Sequence, residues 1–148
     1  MKITYGKNVY GREEINAVVN QLKKTTQMGK SVLSFEKKIA KIFSKKYGLM
    51  VNSGSSALTL AMNVINLKKN DEIITPCLNF GTAVSSIILS GAKPILVDVD
   101  IDTLQIKVEE IENKITKKTK AILVPNLIGN IPNLKKISQI AKKNKIQV

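Results

Sequence analysis

The sequence predicts an α/β fold in which a mostly parallel sheet is flanked by helices. Three observations carry this expectation. Short β-rich apolar runs at residues 72–75, 95–97 and 121–124 are separated by stretches with helical spacing, the alternation expected of βαβ units. Pro76, Gly91 and Pro125 punctuate the pattern where one element should give way to the next. No internal repeat or low-complexity linker interrupts it.

The elements follow in order. Residues 12–24 carry Ile15, Val18, Val19 and Leu22 on one face, which is amphipathic helix spacing. A second helix is expected over 32–46, with Phe35, Ile39, Ile42 and Phe43 on one stripe and Gly48 placed to end it. Leu49, Met50 and Val51 read as a short buried strand. Ser53-Gly54-Ser55-Ser56 then leads into a helix over 57–67, and Lys68-Lys69-Asn70-Asp71 reads as a turn. The strand over 72–75 stops at Pro76, and a helix over 81–89 stops at Gly91. The strand at 95–97 ends in Asp98-Val99-Asp100. A helix over 108–115, the strand stopped by Pro125 and a helix over 133–143 complete the alternation. Ile146-Gln147-Val148 has the look of a strand just begun, so the chain is expected to be the first part of a longer domain.

Composition excludes several chemistries. The 148 residues include 24 Lys+Arg against 11 Asp+Glu, a net charge of +13, with no His and one Cys. Without His there is no Ser-His-Asp or Cys-His nucleophile system and no His-based metal site. A lone Cys77 forms neither an intrachain disulfide nor a Cys-based zinc site, and no pattern marks it as activated, so it is read as structural. No metal site is expected. No run approaches the roughly 18 apolar residues of a membrane span, and the first residues lack the apolar stretch of a signal peptide. The expectation is a soluble, cytoplasmic chain with no membrane partner.

The charge invites a nucleic-acid reading, and the details weaken it. Arg12 is the sole arginine, so the bidentate fork used in base and phosphate recognition is nearly absent. The lysines are spread along the outer faces expected of amphipathic helices, and three Phe with three Tyr make no evident stacking platform. Attraction to anionic ligands is compatible with either reading.

Two segments carry chemistry. Residues 51–57 run from an apolar stretch through a small polar turn into a helix. A helix N-terminus offers unpaired N–H groups and a positive dipole end to an anion. Gly54 permits close backbone approach, while Ser55 and Ser56 add hydroxyls. The plainer alternative is an ordinary Ser N-cap. Neither the P-loop spacing nor Gly-x-Gly-x-x-Gly is present. The second segment, Thr75-Pro76-Cys77-Leu78-Asn79-Phe80-Gly81, lies past a strand's carboxyl end, where open α/β sheets bind ligands. Phe80 would offer a flat face to a ring, or else pack as core under the next helix.

Taken together, Phe35-Glu36, Tyr47, residues 50–57, Thr75-Pro76 with Phe80, and Val97-Asp98-Val99-Asp100 resemble the amino-terminal part of the DegT/DnrJ/EryC1/StrS family, in order and at suitable spacings. These are sugar aminotransferases and related dehydratases that use pyridoxal 5′-phosphate. Thr26-Gln27-Met28-Gly29, the Ser53-Gly54-Ser55-Ser56 form and the stretch from Pro125 and Asn126 to Asn130 look closest to the nucleotide-sugar 3-dehydratase branch.

The resemblance implies part of the large domain of a fold-type-I enzyme, spanning 1–148, without the small C-terminal domain. It implies that Gly54 and Ser55, with Ser56 adjacent, bind the cofactor phosphate, that Phe80 stacks on the pyridine ring, and that Asn126 lines the ring's edge. It implies a nucleotide-sugar substrate in deoxysugar or polysaccharide biosynthesis, and a homodimer in the complete enzyme. The family's pyridinium-pairing Asp, and the Lys of aminotransferases or the His of dehydratases at the Schiff-base position, would fall beyond Val148. No catalytic residue is therefore expected in this chain, and little or no turnover from it alone. A sugar aminotransferase of the same family and a non-enzymatic basic module binding anions or nucleic acid are the alternatives.

Overall fold

The computed structural model describes residues 6–27 and 29–148. The first five residues and the Met28 of the Thr26-Gln27-Met28-Gly29 motif lie outside the described residues. Two compact units divide the chain, Met1–Met50 and Val51–Val148.

The first unit holds α1 (Arg12–Lys24) and α2 (Lys30–Ile42). Both have the expected amphipathic spacing. In α1, Glu14 reaches back to the Gly11 N–H at 2.7 Å, acids fill the first turn, and Lys23 and Lys24 fill the last, all favourable to the helix dipole. Two expectations fail here. The second helix ends at Ile42 rather than near Lys46, with Ser44 in the left-handed region at φ 52°. Gly48 is not its stop. Instead Gly48 lets the returning chain approach α2, where a Cβ would lie 2.7 Å from the Glu36 carbonyl oxygen. Leu49 and Met50 do not form a buried strand. They are 71% and 47% exposed, and the Met50 N–H donates to the Glu36 carboxylate at 2.8 Å rather than to a sheet neighbour. Val51, at the start of the second unit, is likewise outside any strand.

The second unit is the α/β body. It contains α3 (Gly54–Val64), β1 (Glu72–Pro76), α4 (Gly81–Leu89), β2 (Lys93–Val97), α5 (Val108–Lys114), β3 (Thr119–Ile122) and α6 (Leu134–Asn144). The sheet is parallel throughout, in the order β2-β1-β3, with β1 central. Ile74 pairs with Ile95 on one side and Ile122 on the other. Pro94, which cannot donate to a ladder, sits on the outer strand β2. Gln147 extends the sheet beyond β3: it forms a parallel bridge to Ala121, accepts from the Ile122 N–H and donates to Lys120. The strand character read at residues 146–148 is present.

Successive strand residues face opposite sides, and the core divides accordingly. Ile73 joins Met62, Ile87, Ala92 and Ala121, on the side of α3 and α4. Ile74 joins Val97, Ile111, Ile122, Ile137 and Ile140, on the side of α5 and α6. Ile73, Ile74, Ile87, Ile111 and Ile137 are fully buried, each contributing about 1.5–3 kcal/mol by removal from water.

The turns obey their residues. Lys68 to Asp71 closes through the Asp71 N–H to the Lys68 carbonyl, with Asn70 at φ 68°. Gly91, at φ 82°, ends α4 as expected. Asn133 caps α6 by accepting from the Lys136 N–H at 3.1 Å. A short 3₁₀ turn, Leu127–Gly129, was not expected. Among the described residues, no helix is long and apolar enough to cross a membrane, and no cluster of His, Cys, Asp and Glu suits a metal ion.

Candidate functional site

The start of α3 is built by Ser53. Its hydroxyl accepts from the Ser56 N–H at 3.1 Å and lies 3.0 Å from the Ser56 hydroxyl, while its carbonyl accepts the first helical bond from Ala57. Capping thus occupies the N–H of Ser56 and ties up its hydroxyl. The N–H groups of Gly54 and Ser55, one turn from any helical acceptor, have no partner among the described residues. A Cβ at Gly54 would meet nothing within 4 Å, so the backbone there faces open space.

The start of α4 is built differently. Phe80 occupies the N-cap position without a side-chain cap. Asn79 fixes it instead: the Asn79 Oδ1 accepts from the Phe80 N–H at 2.7 Å, and the Asn79 Nδ2 donates to the Thr75 Oγ1 at 3.0 Å. The Thr75 hydroxyl in turn donates to the Leu123 carbonyl at 2.9 Å. Thr75 is fully buried in β1, so the aromatic is anchored through a short polar chain to the centre of the sheet. The Phe80 ring is 71% exposed, which excludes its packing as core under α4.

These two helix starts meet. Gly54, Ser55, Leu58 and Ala61 from α3, with Phe80 and Thr82 from α4, line one cavity of about 600 Å³. Leu58 and Ala61 form its apolar floor at helical spacing, and the N-terminal turns supply the polar side. Thr82 also lines the cavity, but its Oγ1 is closed off from solvent, without a hydrogen-bond partner among the described residues. Such a space combines an anion-favouring rim with a flat aromatic wall, which suits a phosphorylated ring.

The other expected residues fall outside this cavity. Ser56 lines an adjoining space with Ser55, Thr59 and Asn63, on the far side of the α3 start. Asn126 is exposed and opens the 3₁₀ turn after β3, where its carbonyl accepts from the Gly129 N–H. Sequence reasoning missed Thr82. Nothing in the sequence marked it, since a threonine in the first turn of a helix is ordinary.

At the end of β2, Asp98 accepts from the Val99 N–H at 2.8 Å, from Lys107 at 3.3 Å and from the Cys77 thiol at 3.5 Å. These bonds, the Val99 N–H first, hold its carboxyl below the usual carboxylate value. Cys77 is exposed and free. In the first unit, a cavity of about 640 Å³ is lined by Gln21, Thr26, Gln27, Gly29 and Lys30, among others.

The description of the DegT/DnrJ/EryC1/StrS aminotransferase family matches residues 9–148. GDP-4-keto-6-deoxy-D-mannose 3-dehydratase of Escherichia coli O55:H7 is 40% identical over 119 residues, covering 76% of this chain and 31% of that protein. The dTDP-3-amino-3,6-dideoxy-alpha-D-galactopyranose transaminase of Aneurinibacillus thermoaerophilus is 35% identical over 143 residues, covering 95% and 39%. The solved structure of E. coli GDP-4-keto-6-deoxy-D-mannose-3-dehydratase with bound hydrated PLP superposes with a TM-score of 0.88 at 35% identity, over 95% of this chain and 38% of that one. That likeness places the α/β fold with the fold-type-I PLP enzymes. The chain spans about a third of the length of these relatives. By the match over residues 9–148, the chain belongs to the DegT/DnrJ/EryC1/StrS family.

Proposed function

We propose that this chain is the amino-terminal part of the large domain of a pyridoxal-phosphate enzyme acting on nucleotide-linked 4-keto-6-deoxy sugars, a 3-dehydratase. One observation carries the reading: the free N–H groups of Gly54 and Ser55 and the exposed Phe80 ring line the same cavity. The fit is supported by chemistry on both sides. A phosphate ester matches two unpaired amides at a positive helix end, and a pyridine ring matches an anchored phenyl face. When bound, the coenzyme supplies an electron sink for bonds beside the sugar's keto group.

In this reading Gly54 and Ser55 hold the phosphate and Phe80 stacks on the ring. Ser56 shapes the turn through Ser53, and Asn126, which lies outside this cavity, is assigned to the ring's edge by the family resemblance alone. The groups that pair with the pyridinium nitrogen and move the proton belong to a longer polypeptide, so the chain alone turns over little sugar. The complete enzyme is a cytoplasmic homodimer. The 35% identity to a transaminase supports the sugar aminotransferase as second reading.

Binding of pyridoxamine 5′-phosphate tests the proposal. It lacks the aldehyde that would react with the many surface lysines. The expected result is saturable binding to the chain that is lost in Phe80→Ala and Gly54→Val. Binding unchanged in both variants overturns the reading, and salt-sensitive DNA binding in the micromolar range or tighter would favour the basic module.

A further inference from the structure

We propose that Asn79 is a positioning residue that pre-organises Phe80 as the aromatic wall of the α3–α4 cavity, an inference that deepens the coenzyme reading above and rests on it. A helix start is ordinarily capped by the side chain of its N-cap residue. Phe80 holds that position in α4 and makes no side-chain cap. The half-buried Asn79, one residue earlier, serves instead, and both ends of its amide are used. Its Oδ1 accepts from the Phe80 N–H at 2.7 Å, and its Nδ2 donates to the Thr75 Oγ1 at 3.0 Å. Reversing the amide would set donor against donor at Phe80, so the two bonds fix one orientation of the Asn79 side chain. The Phe80 carbonyl accepts from the Ala83 N–H at 2.9 Å, so both backbone groups of Phe80 are held.

The far end of this chain of bonds is in the sheet. Thr75 is fully buried and donates to the Leu123 carbonyl, while the Leu123 N–H donates to the Ile74 carbonyl at 2.8 Å. The exposed Phe80 ring, by contrast, has little packing of its own to hold it. An aromatic on a loosely held loop must be ordered when a ligand arrives, and that ordering weakens binding. Asn79 fixes the Phe80 backbone beforehand and so removes part of that cost.

The test compares the wild-type chain with three variants. Asn79→Ala removes both bonds. Asn79→Asp keeps an acceptor for the Phe80 N–H. Ser85→Ala removes a hydroxyl that donates to the Gly81 carbonyl at 3.0 Å in the same helix. Proton NMR during titration with pyridoxamine 5′-phosphate reads Kd, and the limiting upfield shift of the ligand's ring protons reads stacking at full occupancy. The expected result for Asn79→Ala is about a fivefold weaker Kd and a smaller limiting shift than wild type. Asn79→Asp keeps the limiting shift, and Ser85→Ala keeps both. An unchanged Kd in Asn79→Ala overturns the proposal. So does a weaker Kd with the limiting shift unchanged, a limiting shift reduced equally in Asn79→Asp, or the same losses in Ser85→Ala. If Phe80→Ala abolishes binding while Asn79→Ala matches wild type, this inference fails and the coenzyme reading stands. If the wild type does not bind, the coenzyme reading fails and this inference with it.

Discussion

The two units of the chain bury their apolar residues in opposite measure. In Met1–Met50, α1 has no buried residue and α2 has Ala40 alone. Ile15, Val18, Leu22 and Ile42 are between 50% and 72% exposed. In Val51–Val148, the central strand β1 is flanked by two clusters in which Ile73, Ile74, Ile87, Ile111 and Ile137 are fully buried. Both regions have clean amphipathic patterning. The difference teaches that a 3.6-residue stripe specifies a helix and its sticky face, while depth of burial comes from a sheet that gives such faces a common surface.

The largest expected effect sharpens that contrast directly. Ile74→Ala empties a fully buried site in the β1 core and should cost about 2–5 kcal/mol in urea unfolding. Ile15→Ala, on the exposed α1 stripe, should stay within about 0.5 kcal/mol. Comparable losses in the two variants would break the comparison.

A pair of glycines separates the units next. Gly48→Ala drives a Cβ against the Glu36 backbone at 2.7 Å and should cost about 1–3 kcal/mol. Gly54→Ala meets open space and, lying in a helix, should be neutral or stabilising by up to about 1 kcal/mol. Thermal melts of both variants check the signs.

Thr75→Val deletes the buried hydroxyl that links Leu123 to Asn79, and should cost about 1–3 kcal/mol through the polar groups it strands. It should also loosen Phe80, measurable as faster exchange of the Phe80 amide. Unchanged exchange would uncouple the aromatic from the sheet.

The smallest effect concerns pH. The carboxyl of Asp98 is held below its ordinary value of 3.8, chiefly by the Val99 N–H and then by Lys107. Its stabilising contribution is therefore complete above that value and is lost as pH falls through the lowered one. Asp98→Asn should flatten the acid limb of a stability-against-pH curve slightly, leaving neutral pH less stable than in wild type and the acid end unchanged.

Much of this fold was legible in the sequence because β-rich runs and helical stripes alternate with Gly and Pro at the joints. Gly91 ended α4 as its permitted φ requires, residues 72–75 became a paired strand, and the strand read at 121–124 is paired two residues earlier, over Thr119–Ile122. Leu49, Met50 and Val51 misled because three consecutive apolar residues carry no information about available sheet partners. The Met50 amide found the Glu36 carboxylate instead. Gly48 misled for a related reason: its need is for closeness to α2, not for a positive φ. At the site, Gly54 and Ser55 were legible because small polar residues open a helix there, and Phe80 because it stands where β1 gives way to α4. Their convergence on one cavity was not, since it depends on how α3 and α4 pack on the sheet. Thr82 stayed hidden because a threonine in a first helical turn is ordinary until its hydroxyl is seen to lack a partner.

The central claim is that the start of α3 and the Phe80 ring hold one phosphorylated ring between them. Amide and aromatic NMR shifts of the chain, followed during titration with pyridoxamine 5′-phosphate, test it most directly. The account predicts that the Gly54 and Ser55 amides and the Phe80 ring protons move together along a single saturating curve. Shifts confined to lysine-rich helices, with those three signals unmoved, would contradict it.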